Sequence, residues 1–131
     1  MNQQILPSTR AVKVPGPDHP ITIEANPKLI VVKFGGRIIA NSRRALTLRE
    51  ASYPPVHYIP RQDVDMSLLT RSAHTTYCPY KGECNYFGIS TDGFQADNAV
   101  WTYEAAFPAV AEIEDYLAFY PDRVDAIDEI S

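Results

Sequence analysis

The sequence is short of the features that announce most large function classes. It holds no apolar run near the ~20 residues that span a bilayer, and its first residues, Met-Asn-Gln-Gln-Ile-Leu-Pro, lack the apolar centre of a secretory signal. The expected compartment is therefore the cytoplasm, with no membrane partner. Only two cysteines are present. In a reducing compartment they read as free thiols rather than a structural bridge. Basic charge is not in excess: 12 lysines and arginines stand against 16 acids, a formal net charge of −4. Neutralising a phosphate backbone needs a basic face, so no nucleic-acid partner is expected. There is no P-loop and no Gly-x-Gly-x-x-Gly pattern. Strands do not alternate with long helices, which argues against a doubly wound sheet.

What is present suits one small domain. The 131 residues are 45 % hydrophobic, enough for a real core, and 21 % charged, too few for a disordered chain. Eleven prolines against six glycines imply many short segments with defined stops. Residues 1–20 carry Pro7, Pro15, Pro17 and Pro20 and read as an extended N-terminal arm. Residues 21–125 read as a single β-rich domain, and 126–131 as a tail.

Within that domain, strands are expected at Ile21–Glu24, Leu29–Phe34, Arg37–Ala40, Ala45–Arg49 and Val56–Ile59. Gly35-Gly36, between two β-branched runs, is a two-residue hairpin signal. A short helix is expected from Asp63 to Leu69, capped by Asp63 or Asp65. Further strands follow at Thr75–Tyr80, Asn85–Ser90 and Ala99–Tyr103, with turns at Gly82 and Asp92-Gly93. Val110, Ile113, Leu117 and Tyr120 recur at helical spacing between Pro108 and Pro121. That spacing predicts a C-terminal helix over about 108–120. The expected class is mainly β (α+β): compact twisted antiparallel sheets, a short central helix and one C-terminal helix.

The densest chemistry lies in His74-Thr-Thr-Tyr-Cys-Pro-Tyr-Lys-Gly-Glu-Cys84. Strand alternation would aim His74, Thr76, Cys78 and Tyr80 at one face. A thiol beside an imidazole and an ammonium ionises more easily than a free one. Cys78 therefore stands as candidate nucleophile, His74 as base and Lys81 as charge stabiliser. The competing reading of Cys78 is an inert packed thiol. Arg44, Tyr58, Tyr80 and Trp101 are the candidate ligand-binding residues, Arg44 through its planar fork. The expected partner is a small anionic molecule held by Arg44 and Lys81; each cation could instead pair internally, with Glu50 or Glu83. No cofactor is implied. His57, His74, Cys78 and Cys84 lack zinc-site spacing, so no metal site is expected.

Several segments in order resemble a known family. They are Val32-Lys-Phe-Gly-Gly-Arg-Ile-Ile-Ala40, Arg43-Arg-Ala-Leu46, Pro54-Pro-Val56, Tyr58-Ile-Pro60, Asp63-Val64, His74-Thr-Thr-Tyr-Cys-Pro-Tyr-Lys-Gly82, Asn98-Ala-Val-Trp-Thr-Tyr103 and Leu117-Ala-Phe-Tyr120. Over roughly residues 12–125 the chain resembles the small bacterial family called domain of unknown function 427, which is also placed under a nucleotidyltransferase-like heading. The resemblance implies a compact, mainly β fold similar to Mss4-like proteins, and no settled activity. Under that heading Asp63 and Asp65 would be alternating magnesium-binding carboxylates, although the glycine-serine strand–helix element that partners such acids is absent. Three functions follow as alternatives: a pocket for a small anionic molecule, catalytic through Cys78 if it turns over; a non-catalytic structural or protein-interaction module; and a metal-dependent nucleotidyltransferase.

Overall fold

Gly35 and Gly36 take φ values of 57° and 76°, the doubly left-handed turn that closes a two-residue hairpin and that residues with a Cβ resist. A Cβ on Gly35 would lie 2.0 Å from Thr91 Oγ1, so space forbids a side chain there as firmly as backbone angle does. The computed structural model describes residues 10–131. Its strands are β1 (Ile21–Asn26), β2 (Leu29–Phe34), β3 (Arg37–Ser42), β4 (Ala45–Glu50), β5 (Val56–Tyr58), β6 (Leu69–Cys78), β7 (Gly82–Thr91), β8 (Phe94–Thr102), β9 (Leu117–Phe119) and β10 (Ala126–Ile130).

The strands form three antiparallel sheets, ordered β1-β4-β5, β10-β2-β3 and β6-β7-β8-β9. A single bridge links Ile59, just past β5, to Leu117 of β9, and another ties Ala40 of β3 to Val64 in the connection that follows β5. Two apolar clusters hold the sheets against one another. One gathers Ile30, Val32, Ile39, Phe87, Ile89, Val100, Leu117 and Phe119. The other gathers Leu48, Tyr58, Cys84, Tyr86, Tyr103, Val110, Ile113 and Ala118. Alternation along β7 explains the division: Cys84 and Tyr86 point to one face, Phe87 and Ile89 to the other. The four-stranded sheet thus contributes to both clusters.

The mainly β class holds, but its helices are smaller than expected. The central helix is two one-turn 3₁₀ segments, Arg61–Asp63 and Met66–Leu68, the second capped by Asp65 accepting from Ser67 N–H. The C-terminal helix over 108–120 does not form. Pro108–Ile113 is a kinked 3₁₀ segment with Val110 outside helical angles, and Asp115 turns to a φ of 67°. Leu117 then pairs with Thr102 in β9. The apolar spacing was real, since Val110, Ile113 and Leu117 are all fully buried. They reach the core from a turn and a strand rather than from one helix face. The expected tail is also corrected, because Ala126–Ile130 is β10, paired along β2.

The expected arm over residues 1–20 falls partly outside the described residues. From Arg10 onward the chain is tied down. Lys13 N–H donates to the Pro79 carbonyl, and Gly16 and His19 exchange backbone hydrogen bonds. No helix among the described residues is long and apolar enough to cross a membrane.

Candidate functional site

The segment Pro54–Ile59 runs between two cavities and serves them alternately. Pro54 and Tyr58 line a cavity of about 370 Å³ on one side. Pro55, His57 and Ile59 line one of about 240 Å³ on the other. Successive side chains of an extended strand point to opposite faces, so β5 is a natural partition. Val56 and Trp101 are walls of both cavities.

The larger cavity is aromatic with one charged corner. Five tyrosines, Tyr53, Tyr58, Tyr86, Tyr103 and Tyr120, stand around it together with Trp101. The polar atoms of Tyr58, Tyr86, Tyr120 and Trp101 have hydrogen-bond partners. Trp101 Nε1 donates to the Tyr58 hydroxyl at 3.1 Å. The Tyr86 hydroxyl bonds Thr76 Oγ1 at 2.8 Å and meets that of Tyr120 at 3.4 Å. Burial pushes the phenols of Tyr58, Tyr86 and Tyr103 well up, so all three remain neutral donors.

The charged corner is Lys81 and Glu50. Lys81 Nζ donates to Glu50 Oε1 at 2.5 Å. Glu50 Oε2 accepts from His19 Nε2 at 2.7 Å, and the His19 ring lies flat on Tyr80 with centroids 4.0 Å apart. Lys81 is only 7 % exposed, and a cation so placed is costly unless paired. Burial acts to raise the Glu50 carboxyl, but the hydrogen bonds and charges of Lys81 and His19 outweigh it and hold the group below its ordinary value. The sequence brings this about locally. Lys81 sits in the turn between β6 and β7, and the next residue, Gly82, takes a φ of 114°. A Cβ there would lie 3.2 Å from the Ala105 carbonyl oxygen, so the turn packs closely against the segment after β8.

The thiols lie at the inner wall. Cys84 is 2 % exposed and lines the cavity. Burial pushes its thiol up, only partly opposed by the hydroxyls of Tyr86, Thr76 and Tyr103. A protonated thiol is a poor nucleophile. Cys78 is half-buried and packs against the same cluster.

Of the residues chosen from sequence, Tyr58, Lys81 and Trp101 come together around this cavity. His74 and Cys78 do not form a dyad. Four residues along a strand separate their Cα atoms by about 13 Å, and the His74 ring packs on Tyr86 at 4.6 Å. Tyr80 is engaged by His19 rather than by the cavity. Arg44 lies elsewhere, exposed, its guanidinium bonded to Asp63 at 2.7 and 3.1 Å. Ser42 Oγ also donates to Asp63, so both oxygens of that carboxylate are occupied. Asp65 is spent on capping. Sequence reasoning did not assign Glu50, Tyr86, Tyr103 and Tyr120 to the site. Tyr86 carried one signal, standing two residues after Cys84 and hence on the same face of a strand.

The smaller cavity is apolar, with Ile30, Val32, Phe119 and Ile127 in its wall. Its one titratable side chain is His57. Burial, the leading cause, lowers the His57 pKa and favours the neutral ring, with Arg49 adding to that and Glu129 opposing it. His57 Nδ1 meets Thr47 Oγ1 at 2.9 Å, and that oxygen already accepts from Asn26 Nδ2. A Thr47 hydroxyl donating to Nδ1 would leave the proton of the neutral ring on Nε2, the nitrogen that faces Glu129 at 3.8 Å.

Fold and site together define a β domain of three antiparallel sheets enclosing an aromatic cavity with an ion pair in its wall. The chain belongs to the family described as Domain of unknown function (DUF427), whose family model matches residues 22–130. No curated protein matches it.

Proposed function

We propose that this chain is a small-molecule-binding domain, and that its ligand presents an amide-type edge to Lys81 and Glu50. The observation that carries the reading is the Lys81–Glu50 pair in the wall of an aromatic cavity. An ammonium has three donors and a carboxylate about four acceptor sites. Each therefore keeps hydrogen-bonding capacity beyond their mutual contact. A donor set beside an acceptor is complementary to an acceptor set beside a donor, as in a carboxamide, a urea or a cyclic imide. The ring walls of Trp101, Tyr120 and Tyr86 suit a flat body attached to that edge.

The pairing of Lys81 moves this reading away from a purely anionic ligand. A carboxylate approaching Lys81 would also approach Glu50, and like charges in a sheltered site repel strongly. Catalysis through Cys78 draws no support from the geometry, since no base is set against the thiol. Nucleotide transfer draws none either, because Arg44 and Ser42 already satisfy Asp63.

Trp101 is the one tryptophan of the chain and lines both cavities, so its fluorescence reports on ligands at either of them. Titration with benzamide should change that fluorescence saturably, and benzoate should bind more weakly. Tighter binding of benzoate would restore the anionic ligand in place of the amide. No response to either would remove the small-molecule reading of this cavity.

A further inference from the structure

The geometry points to the apolar cavity beyond β5 as the second half of the same binding site, so that the natural ligand is amphipathic: an amide-type head at Lys81 and Glu50, and an aliphatic tail beside Ile127 and Phe119. This inference rests on the reading of the larger cavity given above. It is carried by a different observation, the shared walls. Val56 and Trp101 line both cavities, so a ligand passing along their side chains leaves one chamber and enters the other without crossing a third element. The partition strand is favourable for this. β5 is three residues long and its outer edge is joined to β9 only past its end, by Ile59 and Leu117, so the way over the strand lies at its Pro54–Val56 end.

The two chambers also divide the chemistry as an amphipathic molecule requires. The polar chamber holds the ion pair and the tyrosine hydroxyls. The other offers Ile30, Val32, Ile59, Phe119 and Ile127, with His57 as its one titratable lining residue. A tail of methylenes loses water against such walls, while a second polar group there would find a single partner. Trp101 is held at the junction. Its N–H is fixed by Tyr58 at 3.1 Å, and its ring leans on Tyr120 with centroids 4.5 Å apart. One edge of the indole is thereby satisfied by the protein, leaving apolar ring surface for both chambers. Together the cavities come to roughly 600 Å³, within the usual range of about 300–1,000 Å³ for ligand sites.

The test uses linear primary amides from propanamide to octanamide, titrated into the full chain and followed by Trp101 fluorescence and by NMR of the Ile127 methyls. Affinity should rise about fourfold for each methylene buried. Ile127 signals should move with octanamide and stay still with propanamide. In Ile127→Phe, which narrows the apolar chamber without adding a second tryptophan, the gain in affinity with chain length should be lost. Should that variant fail to fold, the wild-type series and its Ile127 signals decide the matter. Affinity that does not change along the series, with the Ile127 signals unmoved, overturns the two-chamber site and leaves the amide site standing. Absence of binding by every member overturns the amide site, and this inference with it.

Discussion

Lys81 and Glu50 meet at 2.5 Å although 31 residues separate them in sequence. One comes from the turn after β6 and the other from the end of β4. The contact fastens two sheets together at the mouth of the aromatic cavity. It also spends a buried cation that would otherwise have to find an anion from outside.

Removing one partner should therefore be worse than removing both. Lys81→Met leaves the Glu50 carboxylate sheltered and short of its main counter-charge, which should cost about 3 kcal/mol. The double change Lys81→Met with Glu50→Leu should recover part of that loss. Urea denaturation of Lys81→Met, Glu50→Leu and the double variant against wild type measures the coupling. Equal stability of the single variant and wild type would mean that the pair contributes nothing.

The acid limb of stability should show two steps. His57 has a folded pKa below its unfolded value, so below about pH 6.5 the unfolded chain binds the proton more readily and stability falls. Glu50, Asp63 and Glu104 have folded values below their unfolded ones. Their contribution is present above the ordinary carboxylate range and is lost as pH drops through it. Urea midpoints between pH 8 and 3 should trace both steps. His57→Gln, which can still bond Thr47, should flatten the part between pH 7 and 5 and leave the lower part intact. An unaltered profile would place the upper step on another group.

Thiol labelling should separate the two cysteines. Cys84 is nearly inaccessible and its thiol is pushed up by burial. In Cys78→Ser it should resist iodoacetamide at pH 7 until the chain is unfolded. Native labelling of that variant at the rate of a free thiol would show that the cavity wall opens.

Leu117 lies at 0 % exposure in β9. Leu117→Ala should cost about 2–5 kcal/mol as a core truncation. Circular dichroism of the wild type should nonetheless show a β spectrum, without the helix that the spacing of Leu117 suggested. A strong helical signal would contradict the strand assignment.

Much of the fold was legible because its signals are local. Leu29–Phe34 reads as a strand from its β-branched run, and Gly35-Gly36 fixes the hairpin by backbone geometry alone. The C-terminal helix misled because Val110, Ile113 and Leu117 satisfy a helical period while burying themselves by other means. Periodicity reports which residues are buried, not which backbone carries them there. β10 was missed since Asp128 and Glu129 interrupt its apolar pattern, and pairing with β2 alone makes it a strand. In the site, Tyr58, Lys81 and Trp101 stood out as polar or aromatic residues inside motifs. Their partner Glu50 did not, because both Arg44 and Lys81 were open to it in sequence. The structure resolves that choice by giving Arg44 to Asp63.

The central claim is that the Lys81–Glu50 corner of the aromatic cavity receives an amide edge. The most direct measurement is NMR mapping of benzamide on the isotope-labelled chain, read at the Trp101 indole N–H, at Lys81 and at Arg44. The account predicts saturable shifts at Trp101 and Lys81 together, with Arg44 unmoved beside Asp63. Shifts centred on Arg44, or none at Trp101 and Lys81 at saturating benzamide, would contradict it.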